Sequence, residues 1–148
     1  LDKEFRLNIY GDGFLKERLI KKVQELNLDK KVRFLSHRNS LDFKKYDIFL
    51  HTSYYEGLPN TFLESLYYNT PIVSTCFTTG LCELFIPYWI YPSARDKFEI
   101  RDRIIESLSK KDKNIRKNSN INSLIKEYYN ESNMIGNFQK VLKKIYKD

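Results

Sequence analysis

Residues 47–75 read DIFLHTSYYEGLPNTFLESLYYNTPIVST, and the order of patterns in this stretch decides the fold. Asp47 to Thr52 is nearly all apolar in its middle, which suits a strand buried on both faces, as in a parallel sheet. A helix is expected to start near Pro59, because proline at the first helical position lacks only an N–H that would have no partner anyway. It runs to about Asn69, and Pro71-Ile72-Val73-Ser74-Thr75 follows as the next strand.

Outward from this unit the same alternation continues. Arg6 to Tyr10 is a short strand running into the Gly11-Asp12-Gly13 turn. From Phe14 to Asn27 the apolar positions Leu15, Leu19, Ile20, Val23 and Leu26 fall at helical spacing. Val32 to Leu35 is a second strand, and a short helical piece is expected at Leu41 to Tyr46. Downstream, Trp89 to Tyr91 reads as a fifth strand, and helices are expected at Lys97 to Ser109, Ser119 to Asn130 and Ser132 to Tyr146. Asn114 to Ser123, polar and Asn-rich, reads as a loop or a frayed helix start. The expected class is α/β: a Rossmann-like parallel sheet flanked by helices, with a helical C-terminal tail.

Composition narrows the function classes. The chain has 148 residues, enough for one domain, and a 41% hydrophobic content that argues against wholesale disorder. Its longest apolar runs fall far short of the roughly 20 residues of a membrane-spanning helix, and the charged start does not read as a signal peptide. Cys76 and Cys82 are too few for a disulfide framework and lack zinc-ligand spacing, so two reduced thiols in a cytoplasmic protein are expected. The net charge is +7, and residues 101–148 hold twelve Lys/Arg against six Asp/Glu, so +6 of it lies in the last third. Such a segment reads as a solvated helical face or as one drawn to an anionic membrane surface. The expected location is therefore cytoplasmic, with peripheral contact at the inner face of the cell membrane.

In open parallel sheets, ligands bind beyond the carboxyl ends of the strands. Two turns are candidates there. Gly11 and Gly13 would let the backbone approach a phosphate, although strand-to-helix glycines are also ordinary turns. The turn from Ser53 to Glu64 is the more specific. With Pro59 as first helical residue, the N–H groups of Asn60, Thr61 and Phe62 face outward at the positive end of the helix dipole. At 100° per residue Asn60 and Glu64 share one face, while Phe62, Leu63, Leu66 and Tyr67 form an apolar stripe. Glu56 sits on the loop before the helix, so two carboxylates bracket an anion-binding helix start. A carboxylate accepts two hydrogen bonds and suits vicinal hydroxyls, such as a ribose diol.

Glu56-Gly57-Leu58-Pro59 through Glu64, then Pro71 to Thr75, Gly80 and Glu83, resembles the retaining glycosyltransferases of family four, GT-B enzymes of capsule, lipopolysaccharide and glycolipid assembly. The resemblance also takes in Gly11-Asp12-Gly13, the Lys31 to Leu35 strand and Asp47-Ile48-Phe49, covering roughly residues 5 to 84. It implies that Glu56 lies against the donor sugar as the catalytic carboxylate and that Glu64 holds the ribose. It further implies that Gly57, Leu58, Pro59, Asn60 and Thr61, with Gly11 and Gly13, contact sugar hydroxyls and the diphosphate, and that His37 and Arg38 contact base or phosphate. No metal or other cofactor is expected; the substrate is a nucleoside-diphosphate sugar. Residues 1–148 are then one partial domain, the nucleotide-sugar-binding one, without its first strand–helix unit and without the N-terminal domain that would bind a glycan or lipid-linked acceptor.

Three departures stand against the family pattern: Cys76-Phe77-Thr78-Thr79 and Cys82 where Asp, Pro and Arg are usual, Phe85-Ile86-Pro87-Tyr88 in place of a Gly-rich turn, and the missing first unit. Two other readings stay open. One is a non-catalytic nucleotide- or phosphate-binding α/β module. The other is a basic adaptor that binds anionic lipid or RNA through Lys140, Lys143, Lys144 and Lys147.

Overall fold

The computed structural model describes residues 4–36, 42–57, 59–75 and 88–145. The chain divides into two compact units, Leu1–Leu41 and Asp42–Asp148.

In the first unit, β1 (Leu7–Tyr10) and β2 (Val32–Leu35) run parallel, Leu7 opposite Val32 and Tyr10 opposite Leu35, joined through α1 (Lys16–Glu25). Gly11 extends the ladder by donating its N–H to the Leu35 carbonyl at 3.2 Å, with φ of +135°, a conformation costly for any residue with a Cβ. The helix is amphipathic as expected, but its apolar face is not buried among the described residues. Leu15, Leu19 and Leu26 are exposed and Phe14 is 96% exposed, because two four-residue strands offer too little surface to cover them.

The second unit holds a short 3-10 turn (Phe43–Lys45), β3 (Phe49–His51), α2 (Asn60–Tyr67), β4 (Ile72–Ser74) and β5 (Ile90–Pro92). Four helices follow: α3 (Lys97–Ser107), α4 (Lys110–Asn118), α5 (Ile121–Tyr128) and α6 (Glu131–Ile145). The three strands are parallel in the order β3-β4-β5, with Phe49 opposite Ile72 and Ile72 opposite Ile90. Central β4 is buried along its whole length, with α2 and α3 both packed against it. The core joins Phe62 and Leu66 of α2, Ile72, Trp89, Ile90, and Ile121 and Ile125 of α5, with Phe49 and Leu63 at its margin. Full burial of a side chain such as Phe62 or Leu66 contributes roughly 1.5–3 kcal/mol. α2 ends at Asn69 in the left-handed conformation, where Ser65 Oγ and Thr70 N–H close the turn, and Pro71 prevents continuation. Parallel sheets flanked by helices, with a helical C-terminal end, match the expected class.

One element corrects the sequence reading. Residues 110–118, half of them within the expected loop at 114–123, form the regular helix α4, capped by Ser109 Oγ accepting from the Asp112 N–H at 3.1 Å. Its inward face is polar. Asp112 and Arg116, one turn apart, converge on Tyr91 of β5: the Tyr91 hydroxyl lies 2.6 Å from Asp112 Oδ2 and accepts from Arg116 Nη1 at 2.9 Å. Arg116 also donates to the Ser107 carbonyl at 2.6 Å and the Tyr88 carbonyl at 2.9 Å. The single phenolic proton goes to the carboxylate, the stronger acceptor. Burial, ahead of the Asp112 hydrogen bond, raises the Tyr91 pKa well above that of a free phenol. Removing the hydroxyl leaves Asp112 and one arm of Arg116 under-satisfied in the interior. Tyr91→Phe should therefore cost about 1–3 kcal/mol, read as a lower urea midpoint at unchanged slope; a midpoint equal to wild type would show the network to be dispensable.

Candidate functional site

β3 ends at His51, and the chain then passes through Tyr54, Tyr55 and Glu56 to the amino end of α2. Pro59 is the N-cap rather than the first helical residue, with φ −66° and ψ 131°, so the helix opens one residue later than expected. Proline's fixed φ fits both positions; the extended ψ separates them. The Phe62 N–H, expected to be open, donates back to the Pro59 carbonyl at 2.9 Å. This leaves Asn60 and Thr61, whose N–H groups have no intrahelical acceptor, with no side-chain cap and no acidic residue in the first turn. The end therefore carries the positive pole of the helix dipole, which favours an anion.

The two carboxylates are where the spacing puts them along the chain. Glu64 is exposed on α2, one turn beyond exposed Asn60. Glu56 lies on the loop with its side chain 40% exposed. The apolar stripe needs one correction: Ser65 is fully buried in it, whereas Tyr67 is on the outside, its ring beneath the Lys126 ammonium at 5.4 Å. Gly57 is exposed, and a Cβ there would meet nothing within 4 Å. Gly11 and Gly13 belong to the first unit, where Lys16 closes their turn through an ion pair with Asp12 at 2.5 Å and its N–H to the Gly13 carbonyl at 3.0 Å. His37, Arg38, Leu58, Cys76, Gly80, Cys82 and Glu83 lie outside the described residues.

Two residues absent from the sequence reading join the loop. Arg95, just beyond β5, donates from Nη2 to the Tyr54 carbonyl at 2.6 Å and lies over the Tyr54 ring at 4.2 Å, fastening the loop to its neighbour. His51 is buried at the carboxyl end of β3. Its Nδ1 is 3.2 Å from Ser74 Oγ, its Nε2 3.8 Å from Glu56 Oε1, and its ring stands edge-on to Phe62 at 4.9 Å. A histidine closing an otherwise apolar strand, five residues before Glu56, was the available signal. Burial lowers its pKa below 6.5, and the nearby Glu56 charge only partly opposes this. Among the described residues no three His, Cys, Asp or Glu side chains gather as a metal site, and no helix is long and apolar enough to cross a membrane.

A parallel α/β domain with a helix amino end beyond its strands has the architecture in which open sheets place their ligand crevices. The chain belongs to the glycosyl transferases group 1, whose family profile matches residues 1–129. An uncharacterized glycosyltransferase of Methanocaldococcus jannaschii is 40% identical over 84 residues, covering 55% of this chain and 21% of that protein. The N-acetylgalactosamine-N,N'-diacetylbacillosaminyl-diphospho-undecaprenol 4-alpha-N-acetylgalactosaminyltransferase of Campylobacter jejuni is 36% identical over 88 residues, covering 57% of this chain and 24% of that protein. The chain thus matches under a quarter of the length of either curated relative. Anabaena HepE, solved with UDP, shares the fold with a TM-score of 0.71 at 19% identity, over 95% of this chain and 41% of that one. The fold is that of a GT-B glycosyltransferase domain.

The lowered His51 pKa has a pH consequence of fixed sign. Below about 6.5 the unfolded chain binds a proton that buried His51 resists, so stability is lost as pH falls through the window between the unfolded and folded values and is unaffected by this group above it. Urea midpoints of wild type and His51→Gln should therefore draw together as pH drops from 7 to 5. A constant gap across that range would contradict the assignment.

Proposed function

We propose that this chain is the donor-binding part of a retaining glycosyltransferase of family four. It transfers a sugar from a nucleoside-diphosphate sugar to an acceptor hydroxyl in cell-surface glycan or glycolipid synthesis. The acceptor domain and the first strand–helix unit are contributed by chain outside residues 1–148. The observation that carries the reading is the uncapped amino end of α2, with Asn60 and Thr61 N–H groups open and exposed carboxylates on the residues before and after it. The diphosphate charge grows as the sugar departs, and fixed amides answer it without reorganising, a contribution of about 3 kcal/mol per donor in comparable sites. Glu64 takes the ribose diol and Glu56 a hydroxyl of the sugar; the amides of Gly57, Asn60 and Thr61 take the phosphate and sugar oxygens. The UDP complex of a protein with this fold supports a nucleotide at the site. The match to an enzyme whose name specifies an undecaprenol-linked substrate supports a membrane-anchored acceptor, with the enzyme at the inner face of the membrane.

Uridine diphosphate titrated into the chain should shift the amide signals of residues 56–64, and Glu64→Ala should weaken that binding about tenfold. In the complete two-domain enzyme, Glu56→Ala should lower turnover by about a hundredfold or more. A basic adaptor would instead show salt-sensitive lipid or RNA binding indifferent to both glutamates. That result, without nucleotide-dependent shifts, would overturn the reading.

A further inference from the structure

Glu56 would gain little from being on a loop unless something fixed its direction, because a catalytic carboxylate works only when held near its productive geometry. Among the described residues, three elements converge on a buried side chain near it. His51 closes β3, Ser74 closes β4 directly opposite it, and Phe62 lies in the first turn of α2. Ser74 Oγ is 3.2 Å from Nδ1, Phe62 meets the ring edge-on at 4.9 Å, Phe49 stands 6.1 Å away on the same strand, and Glu56 Oε1 is 3.8 Å from Nε2. Glu56 is the charged group among these neighbours.

We infer that Ser74 and His51 form a relay that orients the Glu56 carboxylate, which makes His51 a positioning residue for the donor-sugar contact proposed above. The inference rests on that reading of Glu56. Its physical basis is the choice of tautomer. A neutral imidazole carries one N–H, and a carboxylate beside Nε2 repels a lone pair there but attracts a proton. Nε2 therefore holds the proton and Nδ1 accepts from the Ser74 hydroxyl. The carboxylate thus selects the tautomer, and the Ser74 hydroxyl, able to donate or accept, holds the ring from its other nitrogen. Burial keeps the ring neutral, so it directs Glu56 as a dipole without neutralising it by full ion pairing. At 3.8 Å the contact is longer than a hydrogen bond and acts through the dipole of the Nε2–H.

Ring ¹⁵N spectra of the chain decide the relay. The expected pattern is a protonated Nε2 and an acceptor-type Nδ1, with both signals moving in Glu56→Gln and the Nδ1 signal moving in Ser74→Ala. A protonated Nδ1, or signals indifferent to Glu56→Gln, overturns it. In the complete enzyme, His51→Leu should lower kcat about tenfold with the donor KM within about twofold, and His51→Gln, which restores a donor near Nε2, should recover most of the loss. Equal losses in the two variants, or a change confined to KM, would mark His51 as packing only. Uridine diphosphate binding separates the two levels: a wild-type chain that ignores it sinks the donor-site reading and the positioning role together. Retained binding, with kcat indifferent to His51, sinks the positioning role alone.

Discussion

Phe62 and Leu66 have no solvent exposure, and the direction of everything else on α2 follows from them. At 100° per residue, burying positions 62, 65 and 66 on one side turns positions 60, 64 and 67 to the opposite side. Asn60, Glu64 and Tyr67 are the exposed residues of the helix, as that rotation requires. Phe62 also meets the His51 and Phe49 rings edge-on, so the first turn of α2 is tied to the end of β3. Sliding the helix by one residue would put Thr61 in place of Phe62 and Glu64 in place of Ser65, or Leu63 and Leu66 in the other direction. The amino end is thus held in place chiefly by apolar packing, with the Phe62 N–H to Pro59 carbonyl bond closing its first turn.

Elements whose inward residues are apolar were legible in the sequence; those whose inward residues are polar were not. β2 spans Val32–Leu35 and α3 opens at Lys97, both where the sequence placed them; Asp96 caps α3 by accepting from the Phe98 and Glu99 N–H groups. α4 was hidden because Asp112 and Arg116 look like surface charges, and the Tyr91 hydroxyl together with the Ser107 and Tyr88 carbonyls makes their burial tolerable. Tyr67 was misplaced because a tyrosine counts as apolar in a stripe while its ring can equally cover a surface under a lysine. The exposed face of Glu64 could be read from helical spacing, whereas His51 offered a signal easily passed over, since a lone histidine in an apolar run usually means a satisfied core residue.

The charge arrangement at the amino end of α2 constrains which ligand group can sit where. The helix dipole supplies about half a positive charge, and Glu56 and Glu64 bring two negative ones. A diphosphate placed beside either carboxylate would be repelled more strongly than the dipole attracts it. The helix itself supplies the separation. Glu64 lies four residues beyond Asn60, about 6 Å along the axis, and the first turn carries no acidic side chain. Along the described residues of α2, phosphate oxygens are therefore favoured at the Asn60 and Thr61 amides rather than beside Glu64, while hydroxyl donors are favoured at the carboxylates. A ligand with hydroxyls on both sides of a central diphosphate satisfies this order, and a bare phosphate or a nucleic-acid backbone does not. With Arg95 committed to the Tyr54 carbonyl and His51 held neutral, the remaining positive charge for a diphosphate has to come from residues other than these two.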